Sequence, residues 1–265
     1  MVLWVVDAHT TYQQGMNIES LAREGYSALV VKATQGRSGY WAPTTFDSWI
    51  RRARTAGMVT GAYHWLNNDD PVAQVDYFLS RLSTVGGPAG MLAAVDCEDT
   101  SNPATQDTVR TFISRWNTRT SGHPLFFYSG AWWYQPHLDG FNVASLGVRG
   151  WNSHYVSGSG YGSVLYQKVP ASWWNPGYGG FARSKMLQFT DQGTAGGITA
   201  HLDIDAFDGT LAELRALTGA ASAAPTPPPT EPEPDDLPES TPQAVGIDGR
   251  MGMSQRANQE SPAAE

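Results

Sequence analysis

Cysteine, charge and long apolar runs are all scarce in this sequence. Cys97 is the single cysteine among 265 residues, which excludes an internal disulfide and a cysteine-rich zinc site. Charged residues make up 16% of the chain, and no apolar stretch approaches the ~20 residues of a membrane span. A glycine-rich phosphate loop after the first apolar segment and a Gly-x-Ser-x-Gly motif are both missing, which removes the signals for nucleotide and serine-nucleophile chemistry. The six histidines lack the spacing of a metal site, so we expect neither a metal nor a cofactor.

Negative charge is concentrated at the C-terminal end. The net charge is −8, and residues 219–265 hold eight acids against two arginines, which leaves the rest of the chain nearly neutral. A neutral body without a basic stripe argues against nucleic acid and against a membrane surface as partners. We expect a monomer without an obligate protein partner.

Strand-like and helix-like segments alternate along the first half of the chain. Apolar periodicity predicts strands at 2–6, 28–31, 58–65, 91–95 and 124–128, and helices at 18–24, 46–56, 72–82 and 105–119. After residue 130 it predicts strands at 148–155, 185–190 and 200–204, with loops in place of helices, and a short helix at 211–217. The fold class is therefore α/β, an irregular TIM-like barrel of five β/α units followed by three strands.

The two ends of the chain differ from this pattern. Residues 1–6 are apolar but lack a basic region and a long apolar core, so we interpret them as a strand and not as a signal peptide. From residue 220 the composition becomes Pro-rich and acidic, which is typical of an extended, solvated segment. We predict one barrel domain over residues 1–218 and a disordered linker or tail over 219–265.

Four acidic residues stand at predicted strand ends: Asp7, Asp96, Glu98 and Asp203. In a parallel barrel the carboxyl ends of the strands form the functional face. Barrel interiors are normally apolar, and an unpaired buried carboxylate is costly. These four acids therefore indicate a site and not a packing role.

Asp96 and Glu98 form the most informative pair. Because a strand alternates faces and rises ~3.3 Å per residue, the two side chains should point the same way, about 6–7 Å apart at their Cα atoms, with Cys97 outward. Neighbouring carboxyls in different surroundings acquire separate pKa values, as glycoside cleavage requires of its acid and its charged partner. A loop ion pair or a helix N-cap is the alternative, and Asp99 is the better N-cap candidate.

Aromatic residues near the strand ends indicate a sugar ligand, because sugar rings stack on aromatic faces. The candidates for substrate contact are Tyr63, Trp65, Tyr128, Trp151 and Tyr155. We expect about half of the aromatic residues in this region, which also include Trp132 and Trp133, to be core or loop packing. His64 lies between Tyr63 and Trp65 in the predicted strand, so its side chain should point to the opposite face and pack against a helix. His9 and His154 are weaker candidates for the cleft.

An ordered set of motifs resembles the family 25 glycoside hydrolases, the Chalaropsis-type lysozymes. The matching pieces run in order across nearly the whole of the first 210 residues: Val6-Asp7 with Tyr12-Gln13, Val31 to Gly36, Gly61 to Trp65, Asp96-x-Glu98, Tyr128-Ser129, Trp151 to Tyr155, Gln188 to Thr190, Gly197-Ile198 and Leu202 to Phe207. Two departures stand out. Ala8-His9 replaces a small polar residue, and Asp205 stands where the family often has asparagine.

The resemblance implies a muramidase that cleaves the β-1,4 bond between N-acetylmuramic acid and N-acetylglucosamine in the glycan strands of bacterial peptidoglycan. Glu98 would be the general acid and Asp96 its charged partner, with the substrate's own acetamido oxygen as a possible nucleophile. Asp7 and Asp203 would hold hydrogen bonds and tune the pKa of Glu98, and Gln188 would contact substrate.

The biological setting expected from the resemblance is that of a phage endolysin or a virion-associated lysin. Such a protein would stay in the host cytoplasm until it is released to the cell wall. Two alternatives stay open: a non-catalytic wall-binding barrel, and an N-acetylhexosamine hydrolase that acts on chitin.

Overall fold

The computed structural model describes residues 2–219, so most of the predicted tail lies outside the described residues. The described residues form eight strands: β1 Val2–Ala8, β2 Tyr26–Gln35, β3 Val59–Trp65, β4 Met91–Asp96, β5 Phe126–Gly130, β6 Arg149–Ser153, β7 Met186–Ala195 and β8 Ile198–Asp208. The helices are α1 Ile18–Arg23, α2 Pro43–Thr55, α3 Pro71–Leu82, α4 Gln106–Thr120, α5 Ala131–Leu138, α6 Gly162–Leu165 and α7 Leu211–Ala216. Within residues 2–219 no helix is long and apolar enough to cross a membrane.

The strands close into a barrel in sequence order, which confirms the predicted fold class. The pairs from β1–β2 to β6–β7 are parallel, but β8 is antiparallel to both β7 and β1. The reversal of β8 is caused by the two-residue connection Gly196-Gly197, in which both residues have positive φ. Two such residues form the tight turn that joins antiparallel strands. The expectation that Asp203 ends the last strand is therefore wrong: it lies in the middle of β8, opposite Asp7.

Side-chain alternation divides the core into two layers. In β4, Leu92 and Ala94 belong to the cluster inside the barrel, whereas Ala93 and Val95, with Cys97 just past the strand, belong to the layer between the barrel and the helices. The same alternation governs the neighbouring strands because successive strand residues point to opposite faces. An inward position that continues past the end of a strand therefore opens into the mouth of the barrel.

The first turn of α3 differs from the predicted helix at 72–82. The helix begins at Pro71, Asp70 caps its first turn, and the apolar Val72 in that turn is exposed. The buried face of α3 is Gln74, Val75, Phe78 and Leu82. Helix α5 lies where loops were predicted after residue 130, because Pro136 and aromatic residues on several faces hide its periodicity.

Candidate active site

A cleft of about 350 Å³ opens at the mouth of the barrel. All ten predicted site residues line it: Asp7, Tyr63, Trp65, Asp96, Glu98, Tyr128, Trp151, Tyr155, Gln188 and Asp203. His9, Tyr12, Lys32 and Gln35 complete the lining. The structure thus brings the predicted residues together, while the catalytic and binding roles assigned to them stay predictions.

Asp96 and Glu98 enter the cleft from the end of β4, and Cys97 between them is buried in the outer layer. Burial raises the pKa of Glu98 to about 7, with the charge of Asp7 as the next cause and Lys32 opposing both. Burial and then the charge of Glu98 hold the pKa of Asp96 well above its ordinary value, and Lys32 again opposes the shift. Glu98 is therefore poised to hold and release a proton near neutral pH.

Gln188 organises one wall of the cleft. Its amide Nε2 donates to Asp7 Oδ2 at 2.8 Å, and its Oε1 accepts from Tyr128 Oη at 2.6 Å and from Tyr155 Oη at 2.5 Å. Burial raises the pKa of Asp7 to about 6, and the hydrogen bond from Gln188 limits that rise. One amide thereby fixes the orientation of a carboxyl group and two tyrosines.

Asp205 lies one layer below the cleft, opposite Val5 in the β1–β8 pairing. It is fully buried, and its Oδ1 accepts a 2.8 Å hydrogen bond from Trp151 Nε1. Burial, followed by the charge of Asp7, raises the pKa of Asp205 well above its ordinary value. The other oxygen has no donor, which fits a protonated carboxyl that itself donates towards Asp7.

Asp203 reaches the same cleft from β8, beside Asp7. Its side chain is partly exposed, and burial followed by the charge of Asp7 raises its pKa well above the ordinary value. Asp7 and Asp203 form a crowded group of acids with Asp96, Glu98 and Asp205. The group can hold only a few negative charges at neutral pH, because each ionised carboxylate disfavours ionisation of the next.

Lys32 is the one lysine or arginine among the described residues that line the cleft. It is 5% exposed, its Nζ lies 2.9 Å from Gln35 Oε1, and it stands 4.4 Å from the centroid of the Trp65 ring. Burial lowers the pKa of Lys32, and the carboxylates of Asp96 and Glu98 raise it. Lys32 was not among the predicted site residues, although a lysine at an inward position of an apolar strand was a usable signal.

The remaining sequence candidates divide between cleft and core. His64 is buried against Phe78 and Phe112, as predicted, and contacts Thr34 and Gln74 through its two ring nitrogens. His9 lines the cleft, and burial lowers its pKa to about 4, so its imidazole is neutral at pH 7.

Trp133 and Asp99 are structural. The buried Trp133 donates through its Nε1 to the carbonyl oxygen of Asp99. The carboxylate of Asp99 accepts from the backbone of Ser101 and Asn102. It therefore closes a turn instead of capping a helix; the cap of α4 is Thr105.

Across residues 2–219 no group of three or more His, Cys, Asp or Glu side chains is arranged to hold an ion. The carboxyl groups of the cleft are instead surrounded by aromatic rings, amides and one lysine. This arrangement suits proton transfer to a neutral, polar ligand.

Comparison with known proteins connects this cleft to a family. Residues 7–198 match the glycosyl hydrolases family 25. Lysozyme M1 of Streptomyces globisporus is 24% identical over 78% of this chain and 68% of its own length. The autolytic lysozyme of Clostridium acetobutylicum is 25% identical over 74% of this chain. The chain spans about half (53%) of the length of that relative.

Solved structures share the fold. The bacterial lysozyme of Streptomyces coelicolor superposes with a TM-score of 0.63 at 23% identity, over 83% of this chain and 98% of its own. The catalytic domain of an endolysin from bacteriophage P40 of Listeria monocytogenes superposes with a TM-score of 0.59 at 17% identity. The match covers 83% of this chain and 98% of the endolysin domain. The family match covers more than two thirds of the sequence and includes three of the four predicted acids. The chain therefore belongs to the family 25 glycosyl hydrolases and is a glycoside hydrolase of the lysozyme type.

Proposed function

We propose that this protein hydrolyses the β-1,4 bond between N-acetylmuramic acid and N-acetylglucosamine in bacterial peptidoglycan, with Glu98 as the general acid. The observation that carries the proposal is the placement of Glu98 beside Asp96 in one cleft, with a pKa raised to about 7. A carboxyl group with such a pKa can still be protonated when it meets substrate near neutral pH. The family and the lysozyme relatives support the substrate class.

In the proposed reaction, Glu98 protonates the bridging oxygen as the bond to the sugar's anomeric carbon breaks. The oxygen of the neighbouring acetamido group attacks that carbon, so that the charge is held within the substrate. Glu98, now ionised, removes a proton from water, and the resulting hydroxide opens the ring intermediate to give the reducing sugar. Glu98 ends protonated, as it began.

Asp96 orients the acetamido group in this scheme by accepting a hydrogen bond from its N–H. Burial favours the neutral form of Asp96, so the scheme needs a counter-charge, and Lys32 is the group that supplies it. The N–H of the bound substrate favours the ionised form in the same way. Tyr128 and Tyr155, both held by Gln188, form the wall against which the sugar lies.

The experiment compares the wild type, Glu98→Gln and Asp107→Asn on purified peptidoglycan, with analysis of the released reducing ends. Asp107 is exposed on α4, away from the cleft, and its variant controls for the loss of a carboxylate. We expect muramic-acid reducing ends from the wild type and from Asp107→Asn, and a loss of about 10²–10⁴-fold in Glu98→Gln. Binding without release by the wild type would favour a non-catalytic barrel, and release from chitin alone would favour a chitin hydrolase.

We further infer a role as a phage lysin that stays in the host cytoplasm until the membrane is opened. The endolysin of bacteriophage P40, which has the same fold, supports this setting. Expression in a susceptible bacterium should lyse the culture only after the membrane is permeabilised. Lysis of intact cells, or the protein in the culture medium before lysis, would contradict the inference.

A further inference from the structure

A second pocket of about 220 Å³ opens beside the catalytic cleft. Its lining, called here the side pocket, consists of Ala131, Trp132, Ser153, His154 and Tyr155. Tyr155 also lines the cleft, so the two cavities are neighbours that share one wall. The hydrogen bond from Tyr155 to Gln188 fixes this wall in place.

Trp132 forms an exposed platform in the side pocket. It is 58% exposed, although it is one of the largest apolar side chains of the protein. Its indole lies directly on Gly130: a Cβ atom at Gly130 would stand 2.5 Å from both Cδ1 and Nε1 of the ring. The glycine therefore makes room for the ring at the end of β5, and the platform is positioned before any ligand binds.

His154 supplies a second flat surface. Its ring stacks on that of Trp173, with the centroids 3.8 Å apart and an angle of 11° between the planes. Burial lowers the pKa of His154, which favours the neutral form of the imidazole. With Trp132 and the 42% exposed Tyr155, it gives the side pocket three aromatic faces.

The chemistry of the side pocket selects a neutral ligand. Its lining contains no lysine, arginine, aspartate or glutamate. The peptide stems of peptidoglycan carry carboxylates and amines, which charged partners would recognise. A sugar ring instead offers an apolar face for stacking and hydroxyl groups that Ser153 and His154 can meet.

We propose that the side pocket binds a further N-acetylhexosamine ring of the same glycan strand, stacked on Trp132, next to the sugars held in the cleft. The proposal rests on the proposed function, because it extends the same substrate along the surface. It makes Trp132 a residue that determines how long a strand the enzyme prefers.

The test measures glycan binding in the Glu98→Gln protein by titration calorimetry, with peptidoglycan oligosaccharides of increasing length that carry no peptide. Trp132→Ala is added to this protein in one sample, and Tyr161→Ala in a control. Tyr161 is exposed to the same extent as Trp132, 58%, but lies outside both cavities. We expect Trp132→Ala to raise the Kd of long oligosaccharides about tenfold, which corresponds to ~1.4 kcal/mol, and to leave short ones and the control unchanged.

Gly130→Ala provides a second route to the same result, because the added methyl group would stand 2.5 Å from the Trp132 ring and 2.6 Å from Ser153 Oγ, and so displaces two residues of the side pocket without removing either. It should weaken the binding of long oligosaccharides and leave that of short ones unchanged. An effect of Trp132→Ala that appears only when peptide stems are attached would overturn the assignment of a sugar.

The outcomes separate this inference from the proposed function. Equal Kd values for Trp132→Ala and Tyr161→Ala at every length overturn the inference alone. A length-dependent effect of Trp132, combined with a wild type that cleaves nothing, supports the inference and overturns the proposed hydrolysis. Absence of binding at every length overturns both.

Discussion

Replacement of Glu98 by glutamine is expected to stabilise the folded protein at neutral and alkaline pH. The pKa of Glu98 is raised from 4.5 to about 7 in the folded state, mainly by burial. The folded state therefore binds the proton more tightly than the unfolded chain, and stability falls as the pH rises from 4.5 to 7. At 1.36 kcal/mol per pKa unit, the accumulated loss above pH 7 is about 3 kcal/mol. Because glutamine cannot ionise, the Glu98→Gln variant should recover most of this lost stability.

Thermal unfolding at a series of pH values measures this effect. For a domain of this size, about 3 kcal/mol corresponds to a rise in Tm of roughly 6–12 °C at pH 8. The rise should shrink towards zero near pH 4, where Glu98 is protonated in both states. Asp107→Asn, an exposed control, should show no such trend. Equal Tm values for the wild type and Glu98→Gln at pH 8 would refute the reasoning, because they would place the pKa of Glu98 near its ordinary value.

Three further expectations follow from the contacts described. Turnover of labelled peptidoglycan should fall about tenfold per pH unit above pH 7, as Glu98 loses its proton; a rate that holds to pH 9 contradicts its role as the acid. Asp205→Asn should retain activity within about threefold, since the amide still accepts from Trp151, whereas Asp205→Ala should cost about 1–3 kcal/mol in urea unfolding by leaving that indole N–H unpaired. Phe112→Ala should cost about 3–5 kcal/mol in the same assay, because Phe112 is fully buried and stacks on His64; a loss below about 1 kcal/mol would show that this contact is absent.

Local patterns in the sequence predicted the barrel and the placement of its central pair. Asp96 and Glu98 were expected on one face, with Cys97 outward, because strand alternation depends only on neighbouring residues. The alternation also placed His64 correctly against the helices. The six aromatic and amide residues proposed for substrate contact came partly from position and partly from family resemblance, and all of them line the cleft.

The tertiary structure decided what depends on distant residues. The turn at Gly196-Gly197 reverses β8, and that reversal sets Asp203 beside Asp7 in the middle of a strand instead of at its end. Strand alternation places Lys32 on the inward face of β2, but its approach to Asp96 and Glu98 depends on β2 and β4 entering one cleft of the closed barrel.

The sequence by itself therefore determined which residue types could do acid chemistry and which face of each strand carries them, because these follow from covalent spacing. Only the tertiary structure decided their pKa values. Burial is the largest cause of the raised pKa of Asp7, Asp96 and Glu98, and burial is a property of the closed barrel and not of any segment. The long-range contact of Gln188 with Asp7, across 181 positions in the chain, exists for the same reason.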